Sequence, residues 1–258
     1  MRRRYGVAVA GPAARLLAGA VGLVAAMTVL GLLLSNVWGR SRFERADAQA
    51  DVVLARDRTP TWNRISHYAT LLAETRTVVV VGAVLAVVFL LALRRWREPL
   101  FLAVVLVGEV SLFVTITLLV DRHRPPVPHL DRAPPTSSFP SGHTTAAVSL
   151  YGGFALLAWR TVRVAVLRVA ALVVGVVVPV AVALSRVYRG MHYPTDVLAG
   201  AVLGSSWLAL VAATLLAGPG RGPAAAGQPA SSSGRRARRT QNSLPSGSAS
   251  TTQVTSSP

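Results

Sequence analysis

The chain has 258 residues, 52% of them hydrophobic and 14% charged, with a mean hydropathy of +0.49; soluble domains carry roughly 25% charged residues, so an ordinary water-soluble globule is excluded. The absence of cysteine excludes disulfide frameworks, thiolate nucleophiles and cysteine-ligated metal centres. The formal net charge of +17 would suit nucleic acid, but the arginines that carry it cluster at the ends of apolar runs, which points to membrane topology and to no nucleic-acid partner.

Arg2, Arg3 and Arg4 open a basic segment, residues 1–15, that leads into an apolar run over about 16–34. A secretory signal has an apolar stretch of only ~7–15 residues ending at a small-residue cleavage site, so this longer run is expected to be retained as an anchor. Residues 40–76 mix both charges and read as an extracytoplasmic connector, with Trp62, His67 and Tyr68 spaced for one short interfacial helix. Five further runs, at about 77–93, 100–120, 142–159, 169–185 and 196–216, approach the ~20 residues that cross a bilayer. The expected fold is all-α, a polytopic six-transmembrane-helix bundle over residues 16–217. Residues 218–258, rich in Gly, Pro, Ser and Ala, cannot supply a core and are expected to form a disordered basic tail.

With both termini cytoplasmic, the arginines at 2–4, 94–97, 160–168 and 235–239 fall inside, accompanied by the single acid Glu98. Glu44, Asp47, Asp51, Asp57, Glu74, Asp121, Asp131 and Asp196 then fall outside. The expected location is the plasma membrane of a bacterium, with every polar motif on the outer face.

Three motifs stand at that face. Arg122 and Arg124, closing the third helix before Pro125, can grip phosphate oxygens bidentately; taken alone, such a pair is more economically read as snorkelling to headgroups. Pro140, Ser141, Gly142 and His143 form a turn that opens a helix, where unpaired first-turn N–H groups and the helix dipole favour an anion. Gly142 permits close backbone approach, and His143 stands beside the anion as proton donor or acceptor. Ser185 and Arg186 end the fifth helix. His192 and Asp196, four apart, share a face if the turn is helical, so the carboxylate can hold one ring nitrogen while the other faces a substrate. Residue chemistry alone supplies two histidines and does not say which is the nucleophile. Glu109, midway along the third helix, is costly in a membrane and is expected to be a neutral or paired packing group; His123 and His129 read as loop residues.

Together these segments resemble the type 2 phosphatidic acid phosphatase (PAP2) superfamily, with its signature K-x6-R-P, P-S-G-H and S-R-x5-H-x3-D. The second element is complete at Pro140–His143 and the third at Ser185, Arg186, His192 and Asp196; the first keeps Arg124 and Pro125 but has Thr117 where the lysine stands. The resemblance runs from the second helix to the sixth and implies a PAP2/haloperoxidase-like core needing no metal or other cofactor. It further implies that His192 attacks phosphorus to form a phosphohistidine, that Asp196 orients it, and that His143 protonates the leaving oxygen and later activates water. Arg124, Arg186, Ser141 and the Gly142 amide would bind the phosphoryl oxygens, with Arg122 or Arg132 supplying the charge lost at Thr117.

The expected activity is hydrolysis of a lipid phosphate or pyrophosphate at the outer membrane face, undecaprenyl pyrophosphate first and a phosphatidic acid type of substrate next, with the bilayer as the other partner. Alternatives are a phosphotransferase acting on a lipid or sugar acceptor, a catalytically silent lipid-binding relative, and an anion transporter. The last predicts discontinuous helices in repeated halves, and the sequence has no such repeat. Oligomeric state is not fixed by the sequence.

Overall fold

A computed structural model describes residues 11–37 and 42–217; most of the expected basic N-terminal segment and the expected tail at 218–258 lie outside the described residues. Nine α-helices are described. α1 (Pro12–Leu32) runs into a π turn (Leu33–Val37), and α2 (Arg42–Arg56) and α3 (Pro60–Leu71) follow. α4 (Thr75–Leu93) and α5 (Arg97–Leu119) come next, then α6 (Gly142–Ala147), which passes through a π turn (Val148–Gly152) into α7 (Gly153–Thr161). α8 (Ala165–Tyr188) and α9 (Pro194–Val211) complete the bundle, α9 ending in a π turn (Ala212–Leu216). Pro12, Pro60 and Pro194 each occupy a first helical position, where the missing N–H would have had no partner in any case.

All described elements are helical, as expected; of the six expected spans, five meet the length and apolarity that a membrane crossing needs. Five stretches, Pro12–Asn36, Thr75–Leu93, Arg97–Leu119, Ala165–Tyr188 and Pro194–Leu216, are long and apolar enough to cross a membrane. The run expected at 142–159 is helical from Gly142 to Thr161 but built in three pieces, and it buries Thr144, Thr145 and Ser149. Its sides face other helices rather than lipid, so it did not need to be uniformly apolar. The lipid-facing helices show the inverse pattern: Val79, Leu91, Leu118, Val166 and Leu184 are exposed, Leu118 by 80%. In water such a surface would drive association; in a bilayer it is the contact with solvent.

The core joins α1, α5, α7 and α9 through Met27, Phe101, Leu102, Val105, Ile116, Leu157, Leu203 and Trp207. The Trp207 indole N–H donates to the Val105 carbonyl at 3.0 Å, satisfying a buried polar atom across two helices. α9 meets α6 along a glycine face: a Cβ on Gly200 would lie 2.6 Å from the Ser141 carbonyl oxygen, and one on Gly204 2.9 Å from that of Thr145. Such close backbone approach is how membrane helices gain packing without a hydrophobic driving force. At the opposite end Arg97 donates to the carbonyls of Leu215 and Ala217, and Arg160 to that of Leu216, cations placed on the last turn of α9 where the dipole is negative.

The connector at 40–76 departs most from expectation. It is mostly helical: α2 packs against α8 and α9, and α3, where one short helix was expected, packs against α8.

Candidate active site

Two loops and four helix ends converge at one end of the bundle. The segment after α5 is stitched to the segment before α6: Ser138 N–H donates to the Arg122 carbonyl at 2.9 Å, Arg122 N–H to Ser137 Oγ at 3.2 Å, and Ser138 Oγ to the His123 carbonyl at 3.0 Å. The Phe139–Pro140 peptide is cis. Ser141 N–H donates to the Asp196 carbonyl at 3.0 Å, fixing the opening of α6 against the opening of α9. Gly190, with φ +73, turns the chain out of α8 in the left-handed region where glycine carries no Cβ penalty. Two residues on comes His192.

His192 is 5% exposed, and its Nδ1 lies 2.7 Å from the Ser138 carbonyl oxygen. A carbonyl only accepts, so Nδ1 carries the proton and the lone pair is on Nε2. Burial, and then the positive charges of Arg186 and Arg124, hold the imidazole well below its usual range. The ring is therefore neutral at physiological pH. His143 is close enough to contribute to the field at His192, and itself feels Arg186, Arg124 and Asp131. The two histidines and two arginines expected from sequence form one cluster.

Asp196 differs from expectation. Its Oδ2 approaches His192 Nδ1 only to 4.0 Å, while the direct bond to that nitrogen is made by the Ser138 carbonyl. The fully buried carboxylate instead accepts the Tyr193 amide at 3.0 Å and pairs with Arg122.

Arg124 spends Nη1 on the Met191 carbonyl at 2.6 Å, and Arg186 spends Nη1 on Asp131 at 2.8 Å, with Thr70 Oγ1 at 3.4 Å. Both retain a buried Nε with no hydrogen-bond partner. Buried donors are ordinarily satisfied, so two guanidinium edges beside His192 are available to an anion. Burial lowers the Arg124 pKa, which makes an anionic partner the more favourable. Ser141 is fully buried, its Oγ accepting from Thr144 Oγ1 at 3.0 Å. Gly142 also faces the Phe113 ring: a Cβ there would lie 2.8 Å from it, so any larger residue would have to displace that ring.

Arg122, expected to supply the charge lost at Thr117, is paired with two carboxylates. Nη1 pairs with Asp196 and donates to Thr195 Oγ1 at 2.8 Å; Nη2 pairs with Asp47 at 3.0 Å; and the guanidinium lies over the Tyr193 ring at 4.4 Å. Burial works to lower its pKa, and Asp196 and Asp47 outweigh that and raise it. Both Nη groups of Arg122 are thus held by carboxylates, while its buried Nε, like those of Arg124 and Arg186, has no hydrogen-bond partner. Arg132 is exposed, and Thr117 Oγ1 is buried without a partner.

Several site-forming residues were missed by sequence reasoning. Arg189 chelates Asp131 through Nε (2.7 Å) and Nη2 (2.6 Å) and also bonds Asn63 and Ser66 of α3. Burial alone would raise the Asp131 pKa; Arg189 and Arg186 overcome this and keep it below the usual carboxylate value. Arg58 donates to the Tyr188 and Pro128 carbonyls at 3.0 and 2.6 Å. Asp47 of α2 reaches the first turn of α9, accepting the Thr195 amide at 3.1 Å. The charge mixture of 40–76 was the only signal of these contacts, and it fits a solvated loop equally well. Glu109 is buried within α5, while His129 sits in the loop with Nε2 3.1 Å from the Pro125 carbonyl. Among the described residues no group of three or more His, Asp or Glu side chains is placed to hold a metal ion.

Comparison with known proteins gives a consistent picture. The PAP2 superfamily profile matches residues 98–217. The chain is 33% identical over 115 residues to an undecaprenyl-diphosphatase of Sulfolobus acidocaldarius, covering 43% of this chain and 49% of that one. It is 36% identical over 124 residues to a decaprenylphosphoryl-5-phosphoribose phosphatase of Mycobacterium tuberculosis, covering 46% of this chain and 62% of that one. The matches thus span about half to three-fifths of these relatives. The fold superposes with a TM-score of 0.62, at 25% identity, on the crystal structure of a transmembrane PAP2 type phosphatidylglycerolphosphate phosphatase from Bacillus subtilis, covering 78% of this chain and 93% of that one.

Proposed function

Since residues 98–217 make this chain a member of the PAP2 superfamily, we propose that it hydrolyses a lipid phosphate or pyrophosphate through a phosphohistidine on His192. The observation that carries the reading is the setting of His192: a neutral ring, its Nδ1 proton committed to Ser138, its Nε2 lone pair free to bond phosphorus, and two buried arginine Nε donors beside it. His143 takes up a proton as the anionic phosphate binds beside it; attack by Nε2 then forms the N–P bond as the P–O bond to the lipid breaks, and His143 delivers that proton to the departing oxygen. A water then gives its proton to His143 and attacks phosphorus; the N–P bond breaks and inorganic phosphate leaves. Arg124 and Arg186 stabilise the charge on the equatorial oxygens through both steps.

The substrate class is a phosphate presented at the membrane surface by a lipid. Relatives named for undecaprenyl and decaprenylphosphoryl compounds favour a polyprenyl pyrophosphate or phosphate over a diacylglycerol one. The test is phosphate release by the detergent-solubilised protein from a panel of both classes, in EDTA. Release is expected to be fastest with undecaprenyl pyrophosphate and to fall ~10³-fold or more in His192→Ala. Release that survives this substitution, or is absent with every lipid phosphate, would falsify the proposal.

A further inference from the structure

We propose that Asp47, on the connector helix α2, is a positioning residue that holds Arg122, and through it the Ser138 carbonyl and the first turn of α9, in the arrangement that orients His192. The inference rests on the hydrolase reading and extends its machinery to a segment outside the matched family region. Asp47 is 6% exposed, and three bonds converge on it. Oδ1 accepts the Thr195 amide at 3.1 Å, a first-turn donor of α9 with no acceptor within its own helix. Oδ2 accepts from Thr195 Oγ1 and pairs with Arg122 Nη2.

From Arg122 the coupling reaches His192 by two routes. Through the side chain, Nη1 pairs with Asp196, whose other oxygen accepts the Tyr193 amide and lies 4.0 Å from His192 Nδ1. Through the backbone, the Arg122 carbonyl accepts the Ser138 amide, and the Ser138 carbonyl is the acceptor for His192 Nδ1. Two carboxylates share one buried guanidinium. Without Asp47 the guanidinium would be drawn to Asp196 alone, shifting the carboxylate and the turn that carries His192. Among the described residues Asp47 makes no hydrogen bond to His192, His143, Arg124 or Arg186, so its influence acts through Arg122 and Thr195.

Asp47→Asn keeps the shape and an oxygen for the Thr195 amide while deleting the charge that holds Arg122. Misplacement on the scale of 1 Å costs about 10²-fold in rate, so kcat is expected to fall about 10- to 100-fold with KM within about threefold. Asp47→Glu should recover part of that loss. In an Arg122→Gln background, Asp47→Asn should cost less than about twofold more, because groups acting as one unit are not additive. All variants are compared as monodisperse detergent-solubilised protein of matched helicity. A kcat for Asp47→Asn within twofold of wild type, a loss appearing in KM, or losses that multiply with Arg122→Gln would each overturn the role of Asp47. Wild-type protein that releases no phosphate would instead overturn the hydrolase reading and this inference with it.

Discussion

Arg122 and Arg124, two positions apart on one strand of chain, have opposite surroundings. Arg122 has its two Nη groups on Asp47 and Asp196, whereas Arg124 has a backbone carbonyl for a partner; the buried Nε of each has none. In sequence the two look equivalent, because what separates them is contributed by carboxylates far away in the chain. His143, His192, Arg124 and Arg186 could be singled out in the sequence because each stands at a fixed place in a motif. The commitment of Arg122 could not, since a guanidinium two residues from another carries no mark of which one will be neutralised. Asp51 is a second case. It is 1% exposed, neither oxygen has a hydrogen-bond partner, and burial, reinforced by Asp47 and Asp196 and opposed by Arg122 and Arg58, pushes its pKa up to about 8. The folded protein therefore holds this proton between pH ~4 and ~8 while the unfolded chain releases it. Stability falls as pH rises through that window, by at most ~1.4 kcal/mol per pH unit from this group, and levels off above it. Asp51→Asn removes the titration. Its melting temperature minus that of wild type should grow from pH 5 to pH 8; a difference independent of pH would exclude a buried, protonated Asp51.

Among the elements, α9 carries the most consequence per residue. Its start is tied by Asp47 and its face is hollowed by Gly200 and Gly204 so that the backbone of α6 can lie against it. The bond from the Ser141 amide to the Asp196 carbonyl, 3.0 Å long, depends on that approach. Gly200→Val is expected to separate the helices, costing ~1–3 kcal/mol as overpacking does, and to reduce phosphate release, whereas Val202→Ala on the lipid-facing side should change neither. Thermal unfolding in detergent together with the release assay reads both; Gly200→Val at wild-type levels in each would show that the contact is dispensable. The long apolar helices were legible from run length alone. The helix through 142–161 was legible as helix but not as an interior element, because burial by protein relaxes the demand for apolarity. α3 was legible as the short helix expected around Trp62, His67 and Tyr68 but not as a partner of α8, and α2 was not legible at all. They are polar overall, and their polar groups are matched by partners that no local pattern announces, such as the Asn63 side-chain oxygen for Tyr188.

For the molecule as a whole, the motifs gather at one end and the arginine caps on α9 lie at the other. From the arginine distribution we propose that the first end faces outward. The chain has no cysteine, so single introduced thiols report without background. Pro126→Cys in the loop after α5 should react with a membrane-impermeant maleimide in intact cells, and Trp96→Cys, 73% exposed between α4 and α5, only after permeabilisation. The reverse pattern would invert the topology.

The ties between α2–α3 and the site have a consequence for synthesis. Asp47 meets Thr195 across 148 positions, and Arg58 meets Tyr188 across 130. At ~5–20 residues per second, the early helices leave the ribosome on the order of ten seconds before their partners exist. Insertion of the first spans and completion of the catalytic centre are thus separate events in time. A nascent chain halted before residue 194 would leave threaded helices in the bilayer with His192 unsupported, so truncated translation products would be inert towards lipids rather than indiscriminate.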